Sequence, residues 1–257
     1  MVPASVGFQC PECVRAGQAG TRAGRVGRPP AGGLRAAGRR WGTATLTLIA
    51  INVAMFVATA ISAATVGSNP LTHNYDSPLF VDLAQIPVLV DLGEWWRLVT
   101  AAFLHIGPFH LVLNMLALLV FGSELERALG RWRFLAVYFV SILGGAAAVQ
   151  LFSGPGTPVA GASTALYGLL GGLGVVLIAR KQDLRGLVTL LVINVLISVL
   201  VPGISIAGHL GGFVAGVLSS GVLVLARKNR PLQIAGTAVL AVALVVVALT
   251  VPTIAVL

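Results

Sequence analysis

Carboxylates are the scarcest chemistry in this chain. Its 257 residues include eight Asp and Glu against seventeen Lys and Arg, and none of the eight lies in the middle of an apolar run. That absence excludes an intramembrane aspartyl protease, which needs two buried aspartates, and any hydrolase built on a buried Ser-His-Asp triad. It also weakens proton-coupled transport, which relies on ionisable chains inside the membrane. No His-Glu-x-x-His occurs, so a zinc metalloprotease of that pattern is excluded. Cysteine is nearly absent too. Cys10 and Cys13 are the only pair, too few for a disulfide framework. Nothing in the sequence indicates a cofactor.

What is abundant is apolar surface. The chain is 57% hydrophobic and only 10% charged, with a mean hydropathy of +0.94. A soluble domain carries roughly 25% charged residues, so this is an all-α polytopic membrane protein. Apolar runs of about 20 residues, the length that crosses ~30 Å of hydrocarbon, predict seven spans: 44–66, 109–125, 134–152, 162–179, 187–201, 204–226 and 234–251. The net charge of +9 might suggest nucleic acid, but its distribution is topological. Seven arginines precede Trp41, and nine more basic residues occupy the connections after the second, fourth and sixth spans. Only Arg97 falls on the other side. The positive-inside rule makes the basic side cytoplasmic. The N-terminus is then cytoplasmic and the C-terminus extracytoplasmic, in the cell membrane, with the lipid bilayer as partner and no nucleic acid. The long extracytoplasmic connection, 67–108, carries Trp95-Trp96-Arg97 and reads as a folded loop at the interface. No internal repeat supports an inverted-repeat transporter.

Polar side chains inside the apolar runs are functional candidates by default. Ser163 lies at the start of the fourth span and His209 one to two turns into the sixth. His110 and Asn114 lie in the first two turns of the second, sharing one face at spacing i, i+4. Tyr167 follows Ser163 at the same spacing. Spans two, four and six all run inward from the outer side, so the four reactive residues share one depth. Glycines crowd the fourth and sixth spans, and small residues let membrane helices approach closely. A serine becomes nucleophilic when a base takes its proton, and histidine is the usual base. With no buried carboxylate, any serine mechanism here is a Ser–His dyad. His110, Asn114 and the Ser163 backbone N–H would be donors for an oxyanion, at the positive end of a helix.

These residues resemble a known family. Gly161-Ala162-Ser163 with Tyr167, and Gly208-His209-x-x-Gly212-x-x-x-Gly216, are similar to the serine and histidine motifs of rhomboid intramembrane serine proteases. His105, His110 and Asn114 resemble the family's second-helix histidines and asparagine. Trp96-Arg97 resembles its first-loop pair, and Gly122, Glu126 and Gly130 the motif closing its second helix. The resemblance covers about residues 44–226 and implies a rhomboid-like bundle with a six-helix core over 44–226 and an additional C-terminal helix within 227–257. It implies that Ser163 is the nucleophile and His209 the general base, with His110 and Asn114 stabilising the oxyanion and Tyr167 packing on the His209 ring. Arg97 and Glu126 would be structural, and His105 would supply a supporting hydrogen bond. The expected substrates are single-span membrane proteins with a locally unstable helix and a small residue at the cut, entering past span five.

Two departures stand out: Thr164 where the family usually has glycine, and Gly208 where alanine is usual. A β-branched residue beside the nucleophile would crowd the oxyanion site or add a hydrogen bond. Thr164 is therefore the main support for the alternative, a catalytically inactive rhomboid-fold protein that binds membrane clients. In the tail, residues 1–43, Cys10-Pro11-Glu12-Cys13 supplies only two of the four ligands of structural zinc, so alone it reads as two free cytoplasmic thiols rather than a metal site. It resembles the end of an N-terminal zinc-binding module found in some actinobacterial homologues, with Met1 an internal start. Residues 14–43 read as a flexible basic linker.

Overall fold

A computed structural model of the chain describes residues 2–3, 8–9 and 34–253. Residues 1–40 form one unit, in which Val2–Pro3 pairs antiparallel with Phe8–Gln9. Cys10 and Cys13, and with them the zinc reading, lie outside the described residues. Where composition reads as linker up to residue 43, Leu34–Trp41 is a helix. Leu, Ala and Arg are strong helix formers, and the Gly- and Pro-rich stretch before them masks that local preference.

The second unit, residues 41–257, is built from helices. We label the long ones α1 (Thr43–Thr65), α2 (Gly107–Leu129), α3 (Arg131–Phe152), α4 (Ser163–Ala179), α5 (Arg185–Leu200), α6 (Ile206–Leu225) and α7 (Arg230–Thr250). The seven correspond to the seven expected spans. Five are long and apolar enough to cross a membrane, whereas α4 and α5 are shorter, at 17 and 16 residues. The protein is a multi-pass membrane protein with a helical bundle fold. α3 is its central mast. Phe134, Val137 and Tyr138 of α3 are fully buried and pack with Leu125 of α2 and Leu169 of α4.

The start of α1 is fixed by a distant carboxylate. Glu126 accepts hydrogen bonds from the Ala44 N–H (3.0 Å), the Thr45 N–H (2.8 Å) and the Thr45 hydroxyl (2.8 Å). A helix begins with unsatisfied N–H groups and a positive dipole end, so an anion from α2 caps α1 and ties the two helices. The long loop 67–108 is folded, with helical turns at Asn74–Asp76, Pro78–Leu83, Pro87–Asp91 and Arg97–Thr100. Its Arg97 is buried. The guanidinium pairs with Glu94 and donates to the carbonyls of Val81 (2.5 Å) and Ala84 (2.7 Å), which holds the loop's helical turns together.

The shortness of α4 sets the depth of everything that follows. Seventeen residues rise about 26 Å, several ångströms less than the hydrocarbon. Non-helical chain at membrane depth is tolerated only where protein satisfies its backbone groups, and here the loop does so. Val159 and Gln85 exchange both backbone hydrogen bonds (2.8 and 3.0 Å), and the Gly161 N–H donates to the Ala101 carbonyl at 2.9 Å. The Gln85 amide in turn donates to the Ala146 carbonyl of α3 at 2.9 Å. The chain leading into Ser163, first residue of α4, is thereby tied to the loop and to α3.

Candidate active site

Helix packing brings the α4 serine to the α6 histidine. Gly212 and Gly216 of α6 face the backbone of α4 so closely that a Cβ on either would collide with the carbonyl of Thr164 or of Gly168. At this separation the Ser163 Oγ lies 2.8 Å from Nε2 of His209. The Ser205 hydroxyl caps α6 by accepting from the Gly208 N–H at 3.1 Å, fixing the turn that carries the histidine. Tyr167, one turn below Ser163, stacks on the His209 ring with centroids 4.1 Å apart and planes inclined by 16°.

A residue that the sequence reading did not single out completes the arrangement. Ser198 of α5 lies 2.9 Å from His209 Nδ1 and 2.8 Å from the Tyr167 hydroxyl, and its own hydroxyl donates to the Asn194 carbonyl at 2.8 Å. A serine has one proton to give and two lone pairs. With the proton on the Asn194 carbonyl, Ser198 accepts from both Tyr167 and His209. The Nδ1 atom then carries the imidazole hydrogen, and Nε2 presents its lone pair to the Ser163 hydroxyl. A neutral hydroxyl here does what a carboxylate does in a charged triad: it selects the tautomer.

His110 approaches Ser163 from α2. Its Nδ1 accepts from the Ile106 N–H at 3.3 Å, which leaves the proton on Nε2. A methyl group on Gly161 would sit 3.1 Å from that Nε2 and 3.7 Å from the Ser163 Oγ. The space between the His110 ring and Ser163 therefore exists because residue 161 has no side chain, and its φ of +130° also favours glycine. α4 has no side-chain cap, so its first N–H groups are available at the same place. Asn114 is buried one turn along α2 from His110. Its Nδ2 donates to the His110 carbonyl at 2.8 Å and its Oδ1 has no partner. No hydrogen bond joins Asn114 to α4 among the described residues.

Thr164 does not crowd this space. Its side chain fits a notch left by two glycines: a Cβ on Gly145 of α3 would meet Thr164 Cγ2 at 2.9 Å, and one on Gly208 would meet it at 3.0 Å. The methyl packs between α3 and α6. His105 also differs from expectation. It is fully buried, yet neither ring nitrogen has a hydrogen-bond partner, and its ring packs on His110 with centroids 5.2 Å apart. Burial, reinforced by the neighbouring His110, pulls the His105 imidazole down to about 3, so it stays neutral. Among the described residues no group of three or more His, Cys, Asp or Glu is placed to hold a metal.

Residues 92–226, just over half the chain, match the family model of the Rhomboid domain. The chain is 38% identical over 163 residues to the Rhomboid protease GluP of Bacillus subtilis, covering 62% of this chain and 32% of that protein. It is 40% identical over 144 residues to RHOMBOID-like protein 5 of Arabidopsis thaliana, covering 53% and 47%. To the Putative rhomboid protease YdcA of Bacillus subtilis it is 35% identical over 144 residues, covering 54% and 72%. The chain thus spans about a third of the length of GluP and about half that of RHOMBOID-like protein 5.

Proposed function

Because the chain belongs to the rhomboid family, we propose that it is an intramembrane serine endopeptidase working by a Ser163–His209 dyad. The observation that carries this reading is the 2.8 Å contact between the Ser163 hydroxyl and the lone-pair nitrogen of His209. In the proposed reaction the Ser163 Oγ attacks the scissile carbonyl carbon while its proton passes to His209 Nε2. The carbonyl electron pair becomes an oxyanion in the space that Gly161 leaves open. His110 Nε2–H and the first N–H groups of α4 donate to it, with the second amide hydrogen of Asn114 as a further donor. The C–N bond then breaks as His209 returns its proton to the leaving amine. Water, deprotonated by His209, attacks the acyl ester, and the proton ends on the Ser163 Oγ as the carboxylic product departs.

The basic residues at and around the α2–α3, α4–α5 and α6–α7 connections orient the bundle with those edges and the N-terminus in the cytoplasm. The dyad then opens toward the extracytoplasmic side. Of the sixteen residues of α5, Ser198 alone is buried. So lightly packed a helix is the natural entry for a substrate span, which must unwind locally to offer a carbonyl to Ser163. The client-binding alternative rested on Thr164, whose methyl packs between Gly145 and Gly208.

The test is proteolysis in liposomes of a single-span substrate with a small residue and a helix-breaking pair near its outer end. The parent should cut it and Ser163→Ala should not. Equal cutting by Ser163→Ala, or none by a folded parent across several such spans, would overturn the proposal.

A further inference from the structure

A cavity of about 390 Å³ opens between the start of α3, the end of α6 and the start of α7. We propose that it binds the phosphodiester headgroup of an anionic phospholipid. Three arginines, Arg131, Arg133 and Arg230, line it. None of the three is paired with a carboxylate, since the ion pairs among the described residues are Arg97–Glu94 and Arg127–Glu124. Arg133 is held in place for the task. Its Nε donates to Gln233 Oε1 at 2.8 Å and one terminal nitrogen donates to the Leu129 carbonyl at 3.2 Å. Gln233 is buried and donates in turn to the Leu223 carbonyl at 2.9 Å.

The position of these arginines is electrostatically costly without an anion. α3 and α7 both begin here, and the positive end of a helix dipole disfavours cations. Yet Arg131, Arg133 and Arg230 occupy first turns that contain no acidic residue, and α3 has no side-chain cap. A general surplus of cytoplasmic charge would be served by arginines anywhere in the connections. Three lining one cavity, beside the uncapped start of α3 and the Asn229-capped start of α7, match a bound phosphate, which guanidinium forks engage in bidentate fashion. The ligand carries a tail as well. Leu223 and Ile234 give the cavity an apolar wall on membrane-spanning helices, and Trp132, exposed at its mouth, is a residue favoured at headgroup level. Basic pockets between membrane helices on the cytoplasmic side suit anionic headgroups.

The test is lipid binding by the full chain in nonionic detergent, titrated with phosphatidylglycerol or with phosphatidylcholine of the same chains and read by native mass spectrometry. Arg131→Gln with Arg230→Gln should weaken phosphatidylglycerol about thirty-fold, at about fivefold per charge, and leave phosphatidylcholine unchanged. Ile234→Trp, which fills the cavity without touching charge, should also reduce phosphatidylglycerol binding. Lys181→Gln with Arg185→Gln, removing the same charge from the α4–α5 connection, should change it less than about threefold. The proposal fails if that control loses as much as the cavity pair, or if the cavity pair binds like the parent. It fails equally if soluble glycerol 3-phosphate displaces the lipid at equal concentration, which would mark a free-phosphate site.

Discussion

Removing one hydroxyl from α5 should slow chemistry that takes place between α4 and α6. In Ser198→Ala, two buried donors lose their acceptor: the His209 Nδ1–H at 2.9 Å and the Tyr167 O–H at 2.8 Å. A neutral hydrogen bond contributes about 1 kcal/mol net, and a stranded buried donor costs about 1–3 kcal/mol. Only the histidine bond bears on the reacting base, so the barrier should rise by roughly 1–2 kcal/mol, a rate loss of about five- to thirty-fold. Losing both bonds should lower stability by about 2 kcal/mol. The rate is best read as the second-order constant for labelling of Ser163 by a small fluorophosphonate, which does not depend on how a substrate helix enters. Ser198→Thr, which keeps an Oγ, should recover most of the loss. Labelling at the parent rate would refute the claim that Ser198 orients His209.

Three other perturbations follow from the geometry. Gly161→Ala puts a methyl 2.9 Å from the His110 ring at a φ of +130°; labelling should fall at least about a hundredfold, the usual scale for a lost oxyanion donor, and folded protein by thermal unfolding would show that the site alone was lost. Thr164→Gly empties the notch between Gly145 and Gly208 and should destabilise by about 1–3 kcal/mol from the vacated methyl and the helix glycine, with no gain in labelling; faster labelling would mean that Thr164 obstructs the site after all. His105, held near 3 when folded against an ordinary 6.5, binds fewer protons folded than unfolded. Its contribution to stability is therefore complete above about pH 6.5 and is lost as the pH falls toward 3, by up to about 1.4 kcal/mol per unit. The thermal midpoint of His105→Gln in detergent should fall less steeply with acidification than that of the parent.

Hydropathy located all seven helices because hydrocarbon demands about 20 apolar residues whatever the fold, but it reads lipid contact rather than helix ends. Thus α2, expected over 109–125, runs to Leu129, and α3 and α7 start at Arg131 and Arg230, before their first apolar residues. Charged turns that project beyond the hydrocarbon are helical without being hydrophobic. Ser163, His209, His110 and Tyr167 stood out because polar groups at one depth are costly unless they meet. Ser198 did not, since a lone serine bonding its i−4 carbonyl is ordinary in a membrane helix. Its signal was available: Ser198 lies near the outer end of the fifth span, at the depth of the dyad, but the depth comparison was drawn across spans two, four and six only. The fit of Thr164 against Gly145 and Gly208 was not legible, because it depends on which faces of three helices meet. How the His105 ring is placed was not legible for the same kind of reason, since it packs on His110 of α2.

The most direct measurement is fluorophosphonate labelling of the purified parent beside Ser163→Ala and His209→Ala, each shown to be folded by its thermal transition. The account predicts stoichiometric labelling of the parent, none of Ser163→Ala, and a rate reduced by several orders of magnitude in His209→Ala. Labelling of His209→Ala at the parent rate, or none of a folded parent with either a bulky or a small probe, would contradict it.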